Sequence, residues 1–291
     1  MEQVKAPATE RTTVEVRTAL SPSRASDFLT CPLLYRFRTI DRLPELPDPV
    51  AVRGTLVHAV LESLFGEEAT ARTLERAQQL LPETWESLRA EHPDLADLAV
   101  PDDWLTSADD LLASYFALED PSRIEPESTE LRVDHELESG LSLGGIVDRL
   151  DIAPDGRIRV VDYKSGRSIN ENFEGKALFQ MKFYALVIWR TRGVIPALLQ
   201  LYYLADRTVL SYEPAESDLL ATERKVIALW NAITAAIERE HFPPRPSALC
   251  KWCRHQDKCP EFGGEPPPMP AITLVPGGYA SNSVDSPGSI Q

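Results

Sequence analysis

Gly144-Gly-Ile-Val-Asp148-Arg-Leu-Asp-Ile-Ala153-Pro154-Asp155-Gly156-Arg-Ile-Arg-Val-Val-Asp162-Tyr163-Lys164 is the stretch on which the reading of the fold turns. It reads as two β-strands rich in branched residues, joined by a Pro-Asp-Gly bend. Pro154 and Asp155 suit the centre of a type I turn, and Gly156 suits the left-handed residue after it. Ala153 then faces Arg157, and the ladder pairs Ile152 with Ile158, Asp151 with Arg159, Leu150 with Val160 and Asp148 with Asp162. Facing side chains share a side of the ribbon, with Cβ atoms roughly 4.5–5.5 Å apart. Asp148, Asp162 and Lys164 therefore fall on one face, beyond an apolar patch of Leu150, Ile152, Ile158 and Val160. Arg149, Val161, Asp151 and Arg159 take the other. A two-residue turn would shift the register by one and separate the acids.

Two carboxylates this close repel and raise each other's pKa unless a positive charge neutralises them. A hard divalent cation with oxygen ligands answers that need. The plainer alternative is a surface Asp148, with Asp162 paired to Lys164 or an arginine.

The pattern Gly145-x-x-Asp148-Arg-x-Asp, then Val-Val-Asp162-Tyr163-Lys164-Ser-Gly166, then Gln180-x-x-x-Tyr184, resembles the PD-(D/E)XK nucleases of the RecB type. These include AddB-like and CRISPR-associated RecB-like exonucleases. The resemblance runs from about Leu20 to Phe262. It implies an α/β fold: a restriction-endonuclease-like core with a central mixed β-sheet flanked by helices, a helical insertion and a C-terminal cysteine cluster. It further implies that Asp148, Asp162 and the Tyr163 carbonyl hold Mg²⁺ or Mn²⁺. His58, in a Gly54-x-x-x-His context, would be an added ligand; read alone, a lone helical histidine is more often a core or surface residue. Lys164 would orient the nucleophile and offset transition-state charge, while Gln180 and Tyr184 would sit beside the phosphate.

The chain has 291 residues, 43% of them apolar, enough for one large core. No apolar run is long enough to span a bilayer and the N-terminus lacks a signal-peptide core, so a soluble cytoplasmic protein is expected. A net charge of −15 argues against a broad polyanion-binding surface. A nucleic-acid enzyme with this balance must gather its cations locally. Arg24, Arg36, Arg38, Arg42 and Arg53, and later Arg167, Lys176, Lys182, Arg190 and Arg192, are the candidates, though any one of them is more simply a solvated side chain.

Residues 1–17 read as a disordered tail and 18–262 as a single nuclease domain. Helices are expected from Ser21, from Arg53 and through an acidic insertion over 67–125 with Trp85 and Trp104 inside. A strand over 130–134 offers Glu130 or Glu136 as a further carboxylate, or as ordinary solvent-facing residues. A helix over 173–192, strands over 195–204 and 208–212 and a helix over 217–240 complete the domain. Residues 263–291, rich in Pro, Gly and Ser, read as a second disordered tail.

Cys250-Lys-Trp-Cys253-Arg-His255-Gln-Asp-Lys-Cys259-Pro260 supplies three closely spaced thiols, and Cys31-Pro32 the remaining one. This one-plus-three layout resembles cubane iron–sulfur sites more than the paired knuckles of zinc ribbons, and matches the iron–sulfur subset of RecB-type nucleases. His255 keeps zinc as the alternative. Either metal would close a loop of more than two hundred residues as a structural staple.

The resulting expectation is a Mg/Mn-dependent DNA exonuclease acting on single strands or DNA ends in repair or recombination. The competing one is a DNA-binding or assembly module that keeps the fold with little catalysis. The chain lacks a Gly-x-x-x-x-Gly-Lys-[Ser/Thr] loop, so a helicase, where one is needed, is a separate partner. No membrane partner is expected.

Overall fold

The computed structural model describes residues 12–168 and 171–277. In chain order, β1 (Thr13–Arg17) and β2 (Ala19–Leu20) precede α1 (Pro22–Thr30), α2 (Pro32–Tyr35) and a π-turn at Arg36–Ile40. Three longer helices follow: α3 (Pro49–Phe65), α4 (Leu74–Glu91) and α5 (Trp104–Leu118). Next come β3 (Ser128–Glu136), β4 (Ser142–Ile152), β5 (Ile158–Lys164) and α6 (Glu171–Arg192). Strands β6 (Leu198–Tyr203) and β7 (Thr208–Tyr212), helix α7 (Glu216–Glu238) and strand β8 (Ala271–Val275) end the order. The chain divides into two compact units.

The larger unit comprises Glu45–His135 and Leu143–Val226. Its sheet is mixed: β4 and β5 are antiparallel, β5 and β6 parallel, β6 and β7 antiparallel, and β3 pairs with β4. The hairpin has the register its turn dictates, Arg149↔Val161, Leu150↔Val160, Asp151↔Arg159 and Ile152↔Ile158. Gly156 sits at φ +83°, where a Cβ would be strained, and its N–H donates to the Ala153 carbonyl at 2.8 Å. Leu150, Ile158 and Val160 are buried as the alternation requires, whereas Ile152, beside the turn, is 40% exposed.

Helices α3, α4 and α5 form one apolar cluster with Val161, Tyr163, Tyr202 and Leu204 of the sheet. The acidic insertion is thus helical and contributes its apolar side to the core. Trp85 and Trp104 are both buried, with ring centroids 4.8 Å apart. Helix α3 starts at Pro49, earlier than its apolar stripe indicates. Asp48 caps it by accepting from the amides of Val50 and Ala51, with proline at the position that needs no donor.

The other unit contains the chain up to Pro44, Glu136–Ser142 and Ile227 onward. Helix α1 is capped by the Ser21 hydroxyl, which accepts from the Arg24 amide. The disordered tails expected over 1–17 and 263–291 need correcting at two places. Strand β1 pairs in parallel with β8, from Thr13↔Ala271 to Arg17↔Val275, and the Arg36 guanidinium donates to the Pro267 carbonyl. Residues 1–11 and 278–291 of those tails lie outside the described residues.

Candidate metal centre and active site

The site is built on the front face of the β4–β5 hairpin. At the open end of the ladder, the Asp148 carboxylate accepts the Tyr163 amide N–H at 2.7 Å. Lys164 Nζ lies 2.9 Å from Asp162 Oδ2 and donates to Gln180 Oε1 at 2.9 Å. Gln180 in turn donates to Asp162 Oδ1 at 3.0 Å and to the Tyr184 hydroxyl at 3.1 Å. The four-residue spacing on α6 stacks Gln180 and Tyr184 along one side of the helix, so the Gln180 amide that reaches Asp162 also meets the Tyr184 hydroxyl.

His58 arrives from α3. Its Nε2 is 2.9 Å from the Tyr163 carbonyl oxygen and its Nδ1 is 3.4 Å from Asp148 Oδ2. Gly54, one turn earlier, explains the approach. A Cβ there would stand 2.8 Å from Ser165 Oγ, just past Lys164, so a larger residue would have to displace the serine hydroxyl where α3 meets the end of β5.

Of the two glutamates offered by β3, Glu130 joins the cluster. Donor atoms of His58, Glu130 and Asp148 all lie within 4.8 Å of one another. Glu130 also takes φ +45° within a strand, a left-handed conformation that costs a non-glycine residue on the order of 1 kcal/mol. The neighbouring ladder must hold it there.

The electrostatics are those of an acid cluster short of positive charge. Burial raises the Asp162 carboxyl; Lys164 opposes this, Asp148 adds to it, and the result is about 6. Burial and the Asp148 charge lift Glu130 to about 7. Burial alone would lower His58, but Asp148, Asp162 and Glu130 together raise it to about 9. Burial penalises Asp148 too, yet His58, Lys164 and the Tyr163 amide hold it below the ordinary aspartate value. Lys164 rises, because Asp162 and Asp148 outweigh its desolvation.

These residues fit a hard divalent cation. His58, Glu130 and Asp148 offer two carboxylates and one imidazole within 4.8 Å of one another, while Asp162 stands beside them paired with Lys164. Asp162 Oδ2 is buried with the Lys164 ammonium 2.9 Å away as its partner, so one lysine answers a carboxylate that Asp148 also repels.

On the back face, Arg149 is wholly buried. It grips Glu119 with two nitrogens at 2.8 and 3.0 Å, contacts Asp151 through Nε at 3.1 Å and donates to the Tyr163 hydroxyl at 2.7 Å. The sequence reading put Arg149 on this face without giving it a part in the site, and Glu119 escaped notice altogether. Only the fold joins the end of α5 to β4.

The expected gathering of cations looks different in place. Arg38 pairs with Asp27, Arg36 with Asp41, Arg190 with Glu223 and Arg192 with Glu127, at 2.6–3.0 Å. Arg53 donates to Ser107 and Lys182 faces Asp218. Each serves a local partner.

The four cysteines lie in the other unit and are unbridged. Burial raises the Cys253 thiol; the His255 backbone amide opposes this, and the charges of Cys250, Cys259 and Cys31 raise it further. Backbone amides aim at two of them: Arg245 N–H at Cys31 Sγ and Ser247 N–H at Cys250 Sγ, each at 3.3 Å. His255 is buried against Phe37, ring centroids 5.3 Å apart.

Comparison with known proteins follows the same outline. The Gene 69 proteins of Mycobacterium phages D29 and L5 are 25% and 24% identical to the chain, each covering 83% of it and 96% of its own length. A crystal structure from Eubacterium rectale, named "Putative exonuclease", shares the fold with a TM-score of 0.55 at 14% identity, over 82% of this chain and 88% of that one. The family model described as PD-(D/E)XK nuclease superfamily matches residues 19–260. That span contains the hairpin, α3, α6 and all four cysteines, and the chain belongs to the PD-(D/E)XK nuclease superfamily.

Proposed function

We propose that this protein is a Mg²⁺- or Mn²⁺-dependent deoxyribonuclease of the RecB type, an exonuclease acting on single strands or DNA ends in repair or recombination. The observation that carries this reading is the convergence of His58, Glu130 and Asp148 beside the Asp162–Lys164 pair at the front of the hairpin. Asp148, Asp162, Glu130 and His58 would hold the cation, with the Tyr163 carbonyl at its edge. When bound, the metal offsets charge on the scissile phosphate and makes water easier to deprotonate. The Lys164 ammonium, fixed between Asp162 and Gln180, presents positive charge to the phosphate oxygens. Gln180 holds Lys164, Asp162 and Tyr184 in one hydrogen-bonded row, which fixes the direction of the ammonium beside Asp162.

A [4Fe–4S] cluster on Cys31, Cys250, Cys253 and Cys259, acting as a structural staple, is proposed from the one-plus-three spacing of the thiols. Amide N–H groups directed at thiolate sulfur stabilise the negative charge a cluster leaves there. Anaerobic purification should give a brown protein with about four irons per chain; colourless protein carrying zinc refutes the cluster. No helix among the described residues is long and apolar enough to cross a membrane, in keeping with a cytoplasmic enzyme on DNA, served by a separate helicase where unwinding is needed.

The test is cleavage of end-labelled single-stranded and duplex DNA with Mn²⁺ or Mg²⁺. Wild type should degrade DNA, while EDTA, Asp162→Ala and Lys164→Ala should each stop it. DNA binding by the wild type without cleavage would favour the assembly-module reading.

A further inference from the structure

We propose that Arg149, on the back of the hairpin, is a positioning residue for the cation site on the front. The inference rests on the reading that the front face binds a divalent metal.

Tyr163 connects the two faces. Its amide N–H is held by Asp148 at 2.7 Å and its carbonyl by His58 at 2.9 Å, both on the front. Its hydroxyl accepts from Arg149 Nη1 at 2.7 Å on the back, and its ring centroid lies 5.8 Å from the guanidinium carbon. Whatever fixes the side chain of Tyr163 therefore fixes the peptide groups against which Asp148 and His58 are aligned.

Arg149 is itself immobile. It is wholly buried, forked onto Glu119 and braced by Asp151. Its guanidinium also lies 4.9 Å from the ring centre of Phe65. Phe65 stands seven residues beyond His58 on α3, two turns along nearly the same side of the helix. One buried cation thus touches both the helix that delivers His58 and the strand residue that His58 meets. A guanidinium suits this task because its planar fork serves several acceptors in fixed directions, which an ammonium does not.

Groups that orient metal ligands from behind typically change metal affinity about 10–100-fold when removed. The experiment measures Mn²⁺ binding to the full chain without DNA, by electron paramagnetic resonance of free Mn²⁺, alongside thermal melting. Tyr163→Phe deletes only the hydroxyl that Arg149 grips and leaves both peptide groups in place. It should weaken Mn²⁺ about 10–100-fold, and its cleavage rate should recover as Mn²⁺ is raised. Arg149→Lys should do the same; if it does not fold, Tyr163→Phe decides the matter. Tyr202→Phe removes another hydroxyl bound to Glu119, at 3.0 Å, without touching the Tyr163 hydroxyl. It should lower the melting temperature and leave Mn²⁺ affinity unchanged. A Tyr163→Phe protein that melts earlier but binds Mn²⁺ like wild type has lost only structural support, and overturns the proposal. Wild type that binds no Mn²⁺ overturns the metal reading itself.

Discussion

On the back of the β4–β5 hairpin, Glu119 and Asp151 meet Arg149 and Arg159; on the front, Asp148, Asp162 and Glu130 meet Lys164 and a histidine. The strands are the same and the residue types nearly so. On the back the charges balance two against two. Burial pushes Glu119 up, but the hydrogen bonds and charge of Arg149, joined by Arg159, bring it below the ordinary glutamate value. On the front one permanent cation serves three acids, and Asp162 and Glu130 stand at about 6 and 7. A balanced cluster is a structural joint. A cluster in deficit is poised to take up positive charge from outside.

The sharpest way to break this contrast is Asp162→Asn. Cleavage should fall on the order of 10³-fold. Yet the metal-free variant should melt no lower than wild type at pH 8. The Asp162 pKa is raised in the fold, so its ionised form is a cost to the native state above about pH 6 and the amide removes that cost. A large drop in melting temperature would mean that the front face is a joint like the back.

Glu119→Gln probes the balanced side. It leaves the Arg149 charge buried beside a single carboxylate, and breaking such a pair costs about 3–5 kcal/mol, measurable by urea denaturation. A loss near zero would show that the back-face pairing carries little weight.

The deficit also sets a pH dependence. In EDTA, the raised pKa of His58 contributes stability that is complete below its ordinary value of 6.5 and is lost as pH rises toward about 9. The melting temperature of metal-free protein should therefore fall from pH 6.5 to 9. His58→Asn should flatten that slope, and saturating Mn²⁺ should reverse it, because metal replaces protons on the same groups.

The smallest expected effect lies at the turn. Gly156→Ala forces a Cβ into φ +83° and should cost about 1 kcal/mol, with the cleavage rate of folded protein unchanged. A changed rate would mean that the turn does more than set register.

Much of this was legible from local chemistry. Pro154-Asp155-Gly156 allows one comfortable hairpin, that hairpin has one register, and the register sorts Asp148 from Arg149. That Gln180 and Tyr184 share one side of α6 follows from helical spacing, whereas their place beside the acids came from the family resemblance. Other features depend on chain segments far apart in sequence. Nothing in the alternation of β3 marks Glu130 rather than Glu136, since the distinction lies in a left-handed φ imposed by neighbours. Glu119 reads as an ordinary residue at a helix end until the fold sets it against Arg149. The pairing of β1 with β8 joins residues 258 positions apart across a Pro- and Gly-rich stretch, where composition argues for disorder and backbone hydrogen bonding prevails.

That last pairing has a practical corollary. A chain cut after Phe262 would discard β8 while keeping Thr13–Arg17, whose row of amides and carbonyls would then face solvent as an open template for another copy. Arg36, buried beside Asp41, would lose the Pro267 carbonyl at the same stroke. Trimming both ends together removes the lone strand, so the doubly shortened protein should stay dispersed where the singly shortened one clumps.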